Sequence, residues 1–321
     1  MNVLEPSISE LVTQLLEVVA ALAAAPLFLG WVNQCRAWLS NRRAPSIWMP
    51  YRNIRKLFDK DAVLAENASP LFRIAPYIVF GTMVVAAAII PSMGTRLPLV
   101  TAADAIALVG LFATARVFLS LAAMDVGTAF GTLGARREMM VGFLAEPALL
   151  MVIFGASMIS ATTALPAISE HLATQSLGIY PSLAFTAIAF TLVLLAENAR
   201  IPVDNPATHL ELTMIHEAML LEYSARHLAL MEWASALRLF NYACIGFALF
   251  VPWGIATRTI DPVGLAFSIP VLAAKLAVAG GSLALIETMS AKLRVMRAPE
   301  FLATAFLFAV LGLLVHVLLG S

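Results

Sequence analysis

The chain has 321 residues, 61% of them hydrophobic and 12% charged, with a mean hydropathy of +0.88. A soluble globular domain is nearer ~45–50% apolar and ~25% charged, so the composition marks a polytopic membrane protein with no evident soluble domain. Zero formal net charge gives no basis for a nucleic-acid partner, and the two cysteines, Cys35 and Cys244, are too few for an iron–sulfur cluster, which wants about four thiolates.

Apolar stretches of about 20 residues read as transmembrane helices. They fall at 10–32, 71–93, 100–124, 139–162, 180–197, 234–257, 262–286 and 301–320. The predicted fold is all-α: a polytopic bundle of about eight transmembrane helices, one transmembrane domain over 1–321. The first stretch lacks a basic leader and a small-residue cleavage site, so it reads as a retained helix. Arg36, Arg42, Arg43, Arg52, Arg55, Lys56, Lys60, Arg136, Arg137, Arg200, Arg226, Lys292, Arg294 and Arg297 crowd one set of connections. The other set carries little beyond Arg96 and Arg258 and includes one loop at 163–179. The positive-inside rule therefore predicts cytoplasmic loops near 33–70, 125–138, 198–233 and 287–300, with both termini on the non-cytoplasmic side. The longest of these loops form a docking platform.

Glu17 sits in the first span, where snorkelling or packing on a partner subunit would account for it. The loop from Trp48 to Phe58 is basic, aromatic and predicted helical; it suits anionic lipid or a soluble partner equally. Arg116, Glu146 and Lys275 lie inside spans, where ionisable groups mark pathways or hold helices together as ion pairs. Pro147, next to Glu146, frees a backbone carbonyl one turn earlier. From Glu197 the chain continues into a predicted helix carrying Glu211, Glu217, Glu222 and Glu232, with Asn205 as its N-cap and Pro206 at its first position. By helical period Glu211, Ala218 and Glu222 share a face, His209 and His216 share another, and Glu222 is spaced to pair with Arg226. The neighbours Leu210, Leu212, Met214, Ile215 and Met219 are too apolar for a freely solvated helix. Carboxylates in such surroundings exchange protons near neutral pH unless arginines hold them ionised. Taken singly, His209, His216 and His227 read as ordinary surface residues.

These residues resemble the NuoH-type membrane subunit of complex I and, more closely, its relatives in group 4 membrane-bound nickel–iron (NiFe) hydrogenases, the HyfC and HycD type of hydrogenase-4 and formate hydrogenlyase. The resemblance runs from Trp31 to Leu302. Tyr51–Phe58 followed by Leu71-Phe72-Arg73-Ile74-Ala75-Pro76 looks like that family's first loop and second helix. Leu133-Gly134-Ala135-Arg136-Arg137 with Glu146 looks like its third loop and acidic fourth helix. Glu197-Asn198-Ala199-Arg200-Ile201-Pro202-Val203-Asp204, then Glu211 and Glu232-Trp233, matches its most recognisable motif. Asp204–Met219 and Glu287–Glu300 are similar to the hydrogenase wording. Ala44-Pro45 stands where Gly-Pro is usual and Met49 where Gln is usual, which argues against a quinone site. Glu222 is displaced, so no role carries over to it.

The resemblance implies a membrane-anchor and energy-coupling subunit in the bacterial cytoplasmic (inner) membrane. It implies no cofactor on this chain, with a NiFe centre and iron–sulfur clusters in partner subunits. The implied partners are the hydrogenase large and small subunits, iron–sulfur proteins and antiporter-like membrane subunits. Glu146, Glu197, Asp204, Glu211, Glu232 and Lys275 become proton-path or coupling candidates. Arg52, Arg55, Arg136, Arg137, Arg200, Pro202 and Pro206 become docking or loop-positioning candidates. Three other readings stay open: a complex I quinone-site subunit, a stand-alone secondary transporter with a midplane site around Glu146 and Lys275, and a purely structural anchor.

Overall fold

The computed structural model describes residues 8–95, 104–174, 181–204, 214–255, 262–290 and 297–319. Among these residues the chain forms eleven α-helices: α1 (Ile8–Leu39), α2 (Met49–Phe58), α3 (Pro70–Ile89), α4 (Ala105–Asp125), α5 (Ala129–Ser160), α6 (Leu165–Thr174), α7 (Pro181–Glu197), α8 (His216–Leu220), α9 (Ala225–Phe250), α10 (Pro262–Met289) and α11 (Ala298–Leu319). Seven of them (α1, α3, α4, α5, α9, α10, α11) are long and apolar enough to cross a membrane. The eighth apolar helix, α7, has 17 residues and spans ~25 Å at 1.5 Å per residue.

Each predicted span corresponds to a helix, but several boundaries differ. α5 begins at Ala129, so the loop expected at 125–138 is mostly helix. Its opening Ala, Leu, Arg, Glu and Met residues are strong helix formers, whereas hydropathy reports only the lipid-facing part. The expected loop at 163–179 contains α6, whose Leu165, Ile168 and Leu172 are buried, a one-sided pattern too short to register as a span. The expected single helix through Glu211, Glu217, Glu222 and Glu232 is also broken. Glu217 is on α8 and Glu232 on α9, while Glu222 lies in the turn between them. Asn205, Pro206, His209 and Glu211 lie outside the described residues.

Local signals set the helix starts. Ser69 accepts from Leu71 N and is followed by Pro70; Asp104 caps α4 and Thr128 caps α5. These are favoured N-terminal arrangements. Ser69 N also donates to Asp125 Oδ2 at 2.8 Å, tying the start of α3 to the end of α4.

α9 is the most enclosed of the crossing helices and packs on α3, α1 and α2. α3, α4 and α5 follow one another; α7 and α11 pack together and against α5, and α10 packs chiefly on α1. In hydrocarbon, helices gain from side-chain hydrogen bonds to backbone carbonyls. Here Asn241 Nδ2 donates to Met83 O (3.0 Å), Gln14 Nε2 to Ala88 O (3.0 Å) and Trp233 Nε1 to Leu22 O (3.1 Å). Tyr223 stacks on Phe72 at 4.1 Å and donates to Phe72 O.

Gly134 on α5 lets α8 approach closely: a Cβ there would lie 2.9 Å from Ile215 O, whereas one at Gly81 on α3 meets nothing within 4 Å. We therefore expect Gly134→Ala to lower the thermal midpoint of the purified protein. Gly81→Ala should leave it unchanged or raise stability by up to ~1 kcal/mol through helix propensity. Equal effects would contradict this packing.

Candidate functional site

Arg116, 5% exposed, projects from α4 into the bundle and meets three carboxylates. Its Nε is 3.2 Å from Glu138 Oε1 and its Nη1 2.5 Å from Glu146 Oε1, both on α5. Its Nη2 pairs with Glu197 Oε1 at the end of α7. Glu138, Gly142 and Glu146 are spaced by four, so they line one face of α5. The Arg116 side chain lies where a Cβ of Gly142 would be. A bare backbone at 142 thus lets the guanidinium cross α5 between two carboxylates one turn above and below it. Arg238 Nη1 donates to Glu197 O at 3.1 Å. Tyr242, fully buried on α9, adds a phenol beside Glu197 and Arg116.

The cluster joins α4, α5, α7 and α9 around one cation. Three acidic groups about one guanidinium preserve an ion pair whichever of them carries a proton. Glu138 and Glu197 are closed in, while the Glu146 side chain is 32% exposed. Glu146 faces a flank cavity of about 580 Å³, walled by Phe143 and Leu150 of α5, Val109 of α4 and Phe306 of α11.

Beyond Glu197 the motif loop is held at both ends. α7 closes with Ala199 in the left-handed region (φ 50°) and Arg200 N donating back to Leu195 O at 2.9 Å, a helix-ending arrangement. The Ile201–Pro202 peptide is cis, and Pro202 is buried. Asp204 is buried and accepts from Ile215 N (3.2 Å) and His216 N (3.0 Å). It therefore ties the end of the motif loop to the start of α8. Arg137 Nη1 donates to Met214 O at 3.1 Å, fixing the same point to α5. Arg200 pairs with Glu287 Oε1 at 3.3 Å, and Arg36 lies 3.6 Å from Glu287 Oε2. Burial pushes the Arg200 guanidinium down, against the support of Glu287 and with Arg36 adding to the shift. Burial pushes His216 down to about 3, helped by the charge of Arg238. Burial raises the Glu217 carboxyl, and Asp204 raises it further.

The remaining candidates sit apart from this cluster. Glu232 shares a cavity of about 640 Å³ with Pro45, Met49, His216, Glu217 and Tyr223. Arg52 and Arg55 are on the exposed side of α2, whose buried residue is Ile54, and Arg136 is exposed on α5. Tyr51 pins α2 to α1 through Ala23 O. Lys275 Nζ donates to Val251 O at 2.6 Å and lies over the Phe247 ring. Glu146 and Lys275 thus have separate partners and do not form one midplane site. Glu17 Oε1 accepts from Met93 N and Gly94 N. The sequence pointed to no role for Glu138, Gly142, Arg238 or Tyr242, and to Glu287 only as the start of a segment similar to the hydrogenase relatives. The four-residue spacing of Glu138, Gly142 and Glu146 was the available signal for the first two.

Comparison with known proteins agrees with this architecture. The family model described as NADH dehydrogenase matches residues 12–318. The chain belongs to the NADH dehydrogenase family. Within reach of that family, it is similar to formate hydrogenlyase subunit 4 of Escherichia coli (strain K12), 32% identical over 302 residues, covering 93% of this chain and 96% of that one. It is also similar to hydrogenase-4 component C of the same organism, 35% identical over 243 residues, covering 75% and 76%. The fold is shared with a chain of the membrane-bound sulfane sulfur reductase, an archaeal respiratory membrane complex. That superposition has a TM-score of 0.80 at 18% identity and covers 96% of this chain and 99% of the other. The chain is a multi-pass membrane protein whose relatives are hydrogenase and formate hydrogenlyase subunits.

Two outcomes follow from the site geometry. Gly142→Ala should displace Arg116 and cost about 1–3 kcal/mol, as overpacking does. In thermal unfolding that cost should shrink when Arg116 is also truncated; additive losses would contradict the contact. His216 binds its proton less readily when folded (about 3) than when unfolded (6.5). The unfolded chain therefore takes up more protons between those values, and stability falls as pH drops through that window. His216→Gln should flatten that part of the stability–pH profile, and an unchanged slope would contradict the weakened proton binding of His216 in the folded chain.

Proposed function

We propose that this chain is the membrane anchor and energy-coupling subunit of a group 4 NiFe hydrogenase or formate-hydrogenlyase-like complex in the bacterial cytoplasmic membrane. Its basic connections face the cytoplasm and both termini face outward. The exposed side of α2, with Arg52 and Arg55, together with α8 and the 198–204 loop, forms the seat for the hydrogenase large and small subunits and their iron–sulfur partners. The NiFe centre and clusters belong to those partners, and this chain carries no cofactor of its own. Antiporter-like membrane subunits continue the path beyond Glu146.

The observation that carries this reading is the single guanidinium of Arg116 shared among Glu138, Glu146 and Glu197. Glu197 ends the helix that runs into the Asp204-clipped loop. A movement or charge change in a docked arm reaches Arg116 through that loop. At an effective dielectric near 20, two charges 4 Å apart interact by about 4 kcal/mol. Loosening one pair is therefore enough to redistribute a proton among the others. Glu146, the member open to the flank cavity, is the one suited to exchange it with a neighbour. Asp204 and Pro202 within the loop, and Arg137 on α5 beside it, set its geometry.

A second reading, a quinone-site subunit of the complex I type, is favoured by the cavity between α2 and α9, where Tyr223 and Glu232 converge, and opposed by Met49 in its wall. Competitive binding of a quinone analogue that is lost in Glu232→Leu would support it.

The test of the main reading uses the assembled complex. Glu146→Gln and Glu197→Gln should leave hydrogen turnover near normal. They should lower ion translocation about tenfold, the change that ~1.4 kcal/mol in a barrier brings. Full translocation in both variants contradicts the coupling role.

A further inference from the structure

Between α7 and α10, with α9 as its floor, lies an apolar cavity of about 230 Å³ lined by Phe28, Leu194, Leu239, Leu283 and Ile286. It stands apart from both the Arg116 cluster and the cavity beside α2. On either side of it the helices turn large apolar residues outward: Ile188 on α7 is 45% exposed and Leu285 on α10 is 47% exposed. In a membrane protein these surfaces meet lipid tails.

The cytoplasmic rim of this cleft is charged. Glu287 lies one turn beyond Leu283 on the same face of α10. It is held between Arg200, just past α7, and Arg36, near the end of α1. Among the described residues, two guanidinium groups face one carboxylate there, leaving one positive charge in excess. Arg36 is the reachable one: its side chain is 40% exposed, whereas that of Arg200 is 12% exposed. A cation at the rim of an apolar slot, at the basic end of the bundle, is complementary to an amphiphile with an anionic head. Basic pockets between transmembrane helices on that side recognise such headgroups, and Arg suits phosphate in particular.

We propose that this cleft binds one anionic phospholipid of the inner leaflet, with its phosphate against Arg36 and one acyl chain in the cavity between α7 and α10. The lipid then completes the packing of α10, whose principal protein contact is α1. It also shields the Arg200–Glu287 pair from water.

The test uses the assembled complex in nanodiscs of phosphatidylcholine containing a phosphatidylglycerol with a photoactivatable acyl chain, and labelled residues are mapped by mass spectrometry. Labels are expected on Leu194, Leu283 and Ile286. They should fall several-fold when the probe is phosphatidylcholine, in Arg36→Gln, and in Leu283→Trp, which fills the slot. Neutralising Arg73, exposed at the start of α3 and outside the docking seat, should leave them unchanged. Equal labelling by the two headgroups, or undiminished labelling in Arg36→Gln, means only unspecific lipid contact and overturns the proposal. So does the absence of label with a partner helix crosslinked to the cleft.

Discussion

A charge inside a bilayer must be matched, and Arg116 is matched three times over. Its guanidinium offers a separate nitrogen to each of Glu138, Glu146 and Glu197. Removing one member of a buried pair typically costs ~3–5 kcal/mol, because the other charge is left stranded. The positions of α4, α5 and α7 are therefore bound to one another by electrostatics as well as by apolar packing. Gly142 is the geometric condition for this: only a residue without a side chain lets the arginine lie across α5 and reach carboxylates on either side. The same arrangement is chemically mobile. One cation among three acidic groups keeps its pairing while a proton changes hands, which is the property a coupling element needs on the proposed reading.

The cluster is also connected outward. Glu197 is both an Arg116 partner and the last residue of α7. The next residues turn back on the helix, and Asp204 and Arg137 anchor the far end of the motif loop. The proposed docking face and the buried ion cluster are thus joined by a short, heavily bonded stretch of chain. Asp204 acts in this arrangement through backbone amides, as a clip on the loop. At the same end of the bundle, Glu287 draws α1, α7 and α10 together through Arg36 and Arg200.

Much of this was legible in the sequence, for specific reasons. The spans followed from hydropathy because lipid contact demands long apolar runs. Glu146 and Arg116 stood out because ionisable groups are rare at such depth. The partners of Arg116 were less visible. Glu138 sits beside Arg136 and Arg137 and reads as one more charge in a basic loop until α5 is seen to begin at Ala129. Gly142, Arg238 and Tyr242 matter only through contacts between helices distant in sequence, which periodicity does not encode. Lys275 was grouped with Glu146 because both lie mid-span. Depth along the membrane does not say which neighbours a side chain meets, and Lys275 meets the Val251 carbonyl. The expected long acidic helix after Asp204 failed because helical spacing alone does not register the turn before Ser224.

On the proposed reading, the carboxyl groups around Arg116 change protonation when an attached redox arm changes state. Redox-triggered infrared difference spectroscopy on the assembled complex reads this directly. A carboxyl carbonyl band should then appear on changing the redox state and be lost or shifted in Glu146→Gln, with the hydrogenase centres still reduced and oxidised normally. A spectrum with no carboxyl band, or one that is identical in Glu146→Gln and Glu197→Gln, would contradict it.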